Sequence, residues 1–231
     1  MPPAPLRRYL KKASAEGIFH APMADTDVRA WMGNFPPNVA RRMTRLGLLL
    51  GHALRDFSVA PADAVIYAST FGEASATERY LASFPAASPL FFQTSIHPSA
   101  IEQVLINRGW PVRELTPLAG RAGVAAQAAL CALTTPGERV FLTGGEEIAT
   151  WLTDIGAASP VAFAFALRLD SAGGDDALGE LSFQPSAVAA DEKNGAASAG
   201  GELPELFLAI QERRAARWRS PAGGEVELTW Y

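Results

Sequence analysis

The chain reads as an α/β protein: a mostly parallel or mixed sheet built around one buried, alanine-rich helix. Three observations predict this. Apolar runs at 63–69, 139–145 and 161–169 alternate with stretches of helical spacing, the order that places helices between strands of one sheet. Between the first two runs lies Val124-Ala-Ala-Gln-Ala-Ala-Leu-Cys-Ala-Leu133, apolar at every position but Gln127, and a helix apolar all round is normally buried all round. Finally, 231 residues, nearly half of them hydrophobic, suffice for a full core in one domain, alone or with a small appendage.

The elements follow in order. Leu6 to Phe19 carries mixed signals and fits a strand or a short helix. Residues 21–37 hold Trp31, Met32 and Phe35 among Pro, Asp and Gly, which predicts a packed loop. Pro36-Pro37 ends any preceding helix, and Asn38 can cap the next. Residues 39–57 place Val39, Met43, Leu46, Leu49, Leu50, Ala53, Leu54 and Phe57 on one helical face. The strand 63–69 ends in Thr70-Phe-Gly-Glu73, and a short helix at 75–84 and a loop at 85–89 follow.

The central unit starts at Phe91 and runs through Ser95 and His97 into a helix ending near Asn107. A strand from Val112, a sharp turn, the buried helix and the strand closing on Gly144-Gly145 complete it. The paired glycines predict a tight turn into a helix at 148–155, before the strand 161–169. Composition shifts at Ser171: 171–201 is rich in Ala, Gly, Ser and Asp, with one strand-like stretch at 178–183 and a flexible loop expected at 187–201. Residues 202–219 predict a last helix with Leu206, Phe207 and Ile210 on its apolar patch. Arg213, Arg214, Arg217 and Arg219 crowd its end, where cations suit the helix dipole. A strand at 225–231 closes the chain. The expected divisions are 1–170, a 171–201 insertion, and a 202–231 helix and strand packing on the same domain.

The formal charge of -4 argues against nucleic acid as the main partner. One cysteine, Cys131, makes no internal disulfide and no cysteine-based zinc site, which fits a reducing compartment. The first twelve residues are Pro-rich and basic with no apolar run after them, and no charge-free apolar stretch is long enough to span a membrane. The expectation is a cytoplasmic protein with no cofactor.

In enzymes of this shape the turn before the central helix often carries the reactive group. Here Thr116-Pro-Leu-Ala-Gly-Arg121 offers one hydroxyl and no cysteine, histidine or carboxylate, whereas a covalent catalyst needs a nucleophile with a base in reach. His97, two residues from Ser95, reads either as a base near a ligand or as a structural histidine holding a turn. The second is favoured, because a single histidine without a placed partner is a weak signal. An acyl hydrolase or acyltransferase would have Ser69, Ser95 and His97 to draw on. Cys131 lies about three helical turns beyond the turn and reads as an inert buried thiol. His20, His52 and His97 match no metal-ligand spacing. Glu146-Glu147 would repel a phosphate at the Gly-Gly turn.

Three segments in series resemble the N-terminal half of a β-ketoacyl synthase, and in particular the stand-alone, chain-length-factor-like homologues. They are Asn38-Val-Ala-Arg-Arg-Met-Thr-Arg-Leu-Gly-Leu-Leu49, Ile66-Tyr-Ala-Ser-Thr-Phe-Gly-Glu73 and Ser88-Pro-Leu-Phe-Phe-Gln-Thr-Ser-Ile-His-Pro-Ser-Ala100. The resemblance covers roughly Asp25 to Leu169. It implies a thiolase-like fold, of which this chain holds one half, with an apolar flank left for another chain to cover. It also places the family's nucleophilic cysteine near Leu118, Ala119 and Gly120, where none stands, and the two catalytic histidines in an absent second half. Pro98 and Phe71 depart from the family's Asn and His. The implied role is a non-catalytic subunit paired with an active ketosynthase in fatty-acid, polyketide or aryl-polyene synthesis, as a homo- or hetero-oligomer. An acidic acyl carrier protein would dock on Arg213, Arg214, Arg217 and Arg219. A plain carrier-binding module differs from this only in its partner.

Overall fold

Eight strands form one mixed sheet in the computed structural model, which describes residues 6–18, 25–155, 161–185, 202–221 and 223–231. The strands are β1 (Leu6–Ile18), β2 (Ala64–Ser69), β3 (Glu114–Ala119), β4 (Arg139–Glu146), β5 (Ala162–Asp170), β6 (Gly179–Gln184), β7 (Ala216–Arg219) and β8 (Glu225–Trp230). Their order is β3-β2-β4-β5-β1-β6-β8-β7. β2 runs parallel to β3 and β4, and every other pairing is antiparallel.

Helices cover both faces, so the inner strands are apolar along their whole length. On one face sit α1 (Asp25–Met32), α3 (Arg45–Ala53) and α6 (Ser99–Asn107), and on the other α7 (Val124–Thr134) and α9 (Glu202–Gln211). Strand periodicity divides the side chains between the two cores. Val65, Tyr67 and Phe141 face α3, whereas Ile66, Val140 and Leu142 face α7. β5 shows the division in volume: its alanines Ala162, Ala164 and Ala166 receive the leucines of α3, and its large Phe163, Phe165 and Leu167 meet the alanines of α7 and the apolar side of α9. Large against small on each side lets both layers reach interior packing density.

Several expectations change. Residues 25–32 form a helix rather than a packed loop, burying Trp31 against α3. The helix expected over 39–57 is broken into α2 (Pro37–Ala40) and α3, because Thr44 is extended and its hydroxyl accepts the Gly47 N–H at 2.9 Å, capping α3 afresh. α2 starts at Pro37 with Pro36 as its cap, so Asn38 is not the cap residue. Gly144 and Gly145 lie inside β4 instead of forming a turn. A Cβ on Gly144 would collide with the Ala68 carbonyl and the Phe165 ring, so close strand approach is what requires glycine. The helix expected to Arg219 stops at Gln211, Arg213 takes a positive φ of 50°, and the chain re-enters the sheet as β7.

The C-terminal elements pack onto the central helix. α7 touches α9 and also β6, β7 and β8, so the chain's own C-terminal elements wrap the central helix. Residues 187–201, expected as a flexible loop, lie outside the described residues. No described helix is long and apolar enough to cross a membrane.

Candidate functional site

β2 and β4 run parallel and end side by side, at Ser69 and Glu146. In open α/β sheets the crevice beyond the carboxyl ends of the strands is where ligands bind. Here that end holds buried polar groups. The Glu73 carboxylate accepts the Ala100 N–H at 3.0 Å through one oxygen, and its other oxygen lies 3.1 Å from His97 Nδ1. The His97 ring stacks on Tyr67 with centroids 5.1 Å apart. Its Nε2 and the Tyr67 hydroxyl are both buried without a hydrogen-bond partner among the described residues. Burial first, then the charges of Glu73, Glu147 and Glu146, hold the Tyr67 phenol well above its ordinary range.

Two more carboxyls complete the cluster. Glu146 receives the Thr70 hydroxyl, and burial pushes its pKa up. Glu147 accepts the Ala76 N–H at 3.2 Å, and burial, opposed by hydrogen bonds from the Ala76, Leu46 and Ser75 amides, takes its pKa to about 7. It floors a cleft of about 430 Å³ that is also lined by Thr44, Arg45, Ser75, Ala76 and Arg79.

Ser95 is elsewhere. It ends α5 (Pro89–Ser95), half-buried, and its hydroxyl donates to the Phe92 carbonyl at 2.8 Å. No hydrogen bond among the described residues joins it to His97. Ser69 is fully buried, its oxygen accepting the Gly72 N–H at 3.0 Å. The arrangement is a carboxylate–imidazole pair to which no serine or threonine hydroxyl is hydrogen-bonded at the imidazole among the described residues.

The second locus is the head of α7. Leu118 and Ala119 are the last residues of β3, and Gly120 to Gly123 make the turn. Gly123 has a φ of 74° and caps the helix without a side chain. The helix amides are met from a distance: Glu202, the first residue of α9, accepts the Gly123 N–H at 2.8 Å and the Ala125 N–H at 3.2 Å. The positive end of the helix, which attracts anions, therefore already holds a carboxylate of the same chain. Nothing lies within 4 Å of where a Cβ on Gly120 would stand.

Cys131 is half-buried on α7, and burial pushes its thiol pKa up, away from the reactive thiolate. His52 contacts Asn34 and Glu16, His20 lies outside the described residues, and no cluster fit to hold a metal occurs among the described residues. The C-terminal arginines are dispersed. Arg213 is in the turn after α9, Arg214 lies 3.3 Å from Glu212, Arg217 pairs with Glu227 at 2.7 Å, and Arg219 is exposed on β7. Sequence reasoning missed Glu202 and the joint burial of Glu73, Glu146 and Glu147. The only available signal was Glu73 at the end of a strand motif.

No family model matches the chain, and no curated protein matches it. Solved structures do. One is a chain of the complex described as a ketosynthase (ApeO) with its chain length factor (ApeC) from Xenorhabdus doucetiae, at 18% identity and a TM-score of 0.63, covering 97% of this chain and 99% of that one. Weaker likenesses are the ketosynthase from module 6 of the bacillaene synthase of Bacillus subtilis 168, at 11% identity, TM-score 0.46, covering 90% of this chain and 47% of that one, and germicidin synthase from Streptomyces coelicolor, at 10% identity, TM-score 0.39, covering 98% and 70%. The fold is that of the thiolase-like, ketosynthase-related structures.

Proposed function

We propose that this chain is a non-catalytic, ketosynthase-like subunit that works beside an active ketosynthase in polyketide, aryl-polyene or fatty-acid type synthesis. The observation that carries the reading is the head of α7. The turn Gly120–Gly123 offers no thiol or hydroxyl, and the helix amides are engaged by Glu202. An acyl group has nothing there to bind to covalently. The end-to-end likeness to a chain of a ketosynthase–chain-length-factor complex supports the pairing. The Glu73–His97 pair serves the fold in this reading: it ties the end of β2 to the start of α6.

An acidic carrier protein is the second partner. Arg213 and Arg219 stay exposed for it, but Arg214 pairs with Glu212 and Arg217 is engaged by Glu227. Arg41, Arg42, Arg45 and Arg79 form a further set, exposed and without a carboxylate partner among the described residues. Exposed cations of this kind steer an acidic partner and make its binding salt-dependent.

The test is co-purification with a full-length, cysteine-containing ketosynthase from the same cells. A stable complex in which this chain alters product length supports the proposal. A chain that remains a lone monomer beside every such enzyme sinks it. Acyl-ester turnover that His97→Ala abolishes would favour a hydrolase instead.

A further inference from the structure

The carboxyl ends of β2 and β4 lead into α4 (Ala74–Ala82) and α8 (Thr150–Asp154), and their amino ends border a separate cleft of about 780 Å³. Arginines collect there because the strands start in step. Ala64 of β2 is the partner of both Glu114 on β3 and Val140 on β4, so the residues before them, Asp63, Arg113 and Arg139, form a row. Arg139 stands opposite Asp170 on β5, and Arg168 lies two residues before Asp170 on the same face of that strand. Arg139 grips Asp63 through Nε at 2.9 Å and Nη2 at 2.6 Å, and Arg168 grips Asp170 through the same two atoms at 3.0 and 2.6 Å. A guanidinium carries five N–H groups, so each fork holds its arginine still and leaves Nη1 uncommitted. Arg113 gives Nη2 to the Pro136 carbonyl, while its Nη1 lies against Gly137 in the cleft wall. Among the described residues, the Nη1 of none of these three arginines has a hydrogen-bond partner.

We propose that this cleft binds a small organic phosphomonoester, whose phosphoryl oxygens accept from the free Nη1 groups of Arg113, Arg139 and Arg168. The acids of the cleft do not oppose it. The Asp63 carboxylate is committed to the Arg139 fork and to the Ala60 N–H at 2.7 Å, and Asp170 to the Arg168 fork. Glu138 is exposed and free to turn into solvent, and Glu114, 3.9 Å from Arg113, lies outside the cleft wall. Behind the wall a fourth cation has no carboxylate bonded to it. Arg8, only 5% exposed, donates to the carbonyls of Thr135, Gly137 and Glu138, and its buried Nε has no partner among the described residues. Its charge tips the field of the cleft towards anions, and poor access to water keeps that field strong. Fixed guanidinium forks suit the several oxygens of a phosphoryl group. The space is larger than one phosphoryl group needs and falls within the range of small-molecule sites. Ala60, Ala62 and Ala172 give small uncharged walls for an organic remainder. The site lies at the opposite end of β2 and β4 from the Glu73–His97 pair and is independent of the ketosynthase-like reading.

Isothermal titration of the full chain at constant ionic strength tests it, with glycerol 3-phosphate, inorganic phosphate and sodium chloride as titrants. Glycerol 3-phosphate should bind saturably and more tightly than inorganic phosphate, and chloride should give no saturable heat. Arg113→Gln, which removes one charged donor from the half-exposed wall, should weaken the ester about ten-fold. Arg29→Gln, on exposed α1, should leave its affinity unchanged. The proposal is overturned if the unaltered protein shows no saturation by the ester below about 10 mM, a result that needs no variant to fold. It is overturned too if inorganic phosphate binds as tightly as the ester, which would make the site one for the free anion. Affinity that survives Arg113→Gln, or falls equally in Arg29→Gln, places the binding elsewhere and sinks it as well.

Discussion

At the scale of single residues, Glu202 and Gly120 carry the most. Glu202 accepts two amides at the head of a helix 79 and 77 residues away in sequence. Replacing it with alanine strips both partners at once and should lower unfolding stability by about 1–2 kcal/mol, read as a shift in urea midpoint at constant slope. Gly120 has open space where a side chain would stand. Gly120→Cys should therefore keep the melting temperature, and its thiol should be alkylated well ahead of Cys131, whose thiol burial keeps protonated. A Gly120→Cys protein alkylated no faster than the parent would show the turn to be closed. None of this was legible locally. A cap supplied from the far end of the chain leaves no trace in the sequence around α7, and burial of three glutamates is fixed only when β2, β4 and the loops beyond them converge. That Gly120 to Gly123 carries neither thiol nor hydroxyl was legible, because the residue types of a segment need no coordinates.

At the scale of elements, what the sequence displayed was period. The apolar runs of β2, β4 and β5 and the all-round apolar α7 announce two-sided burial, and each is found at or within a residue or two of its expected limits. β7 failed the same reading for a physical reason. Ala216-Arg-Trp-Arg219 alternates buried and exposed, but four residues after a good helix are too few to distinguish period 2 from the basic end of that helix. α3 failed by its start, since a threonine cap inside a continuous apolar stripe divides a helix that periodicity alone would join. The alanines of α7 are set against phenylalanines of β5, so volume there is already allotted. Ala128→Leu should overpack the core and cost about 1–3 kcal/mol, seen as a lower melting temperature with the oligomeric state unchanged. A tolerated leucine would mean that α7 has slack on that side.

At the scale of the molecule, the C-terminal quarter closes the architecture. β6, β7, β8 and α9 extend the sheet past β1 and enclose α7, so 1–170 should not stand alone. A chain ending at Asp170 exposes the α7 flank and should lose cooperative unfolding and near-ultraviolet dichroism while binding a hydrophobic dye. Cooperative melting of that fragment would instead make the last sixty or so residues an accessory. β3 is left at the sheet edge with Pro117 in it, the position to which proline within sheets is confined.

Self-enclosure of the central helix has a consequence for lifetime in a complex. A chain whose central helix is enclosed by its own C-terminal elements does not need a second chain to cover that helix, so any association proposed for it can form and dissolve after folding and be set by relative abundance.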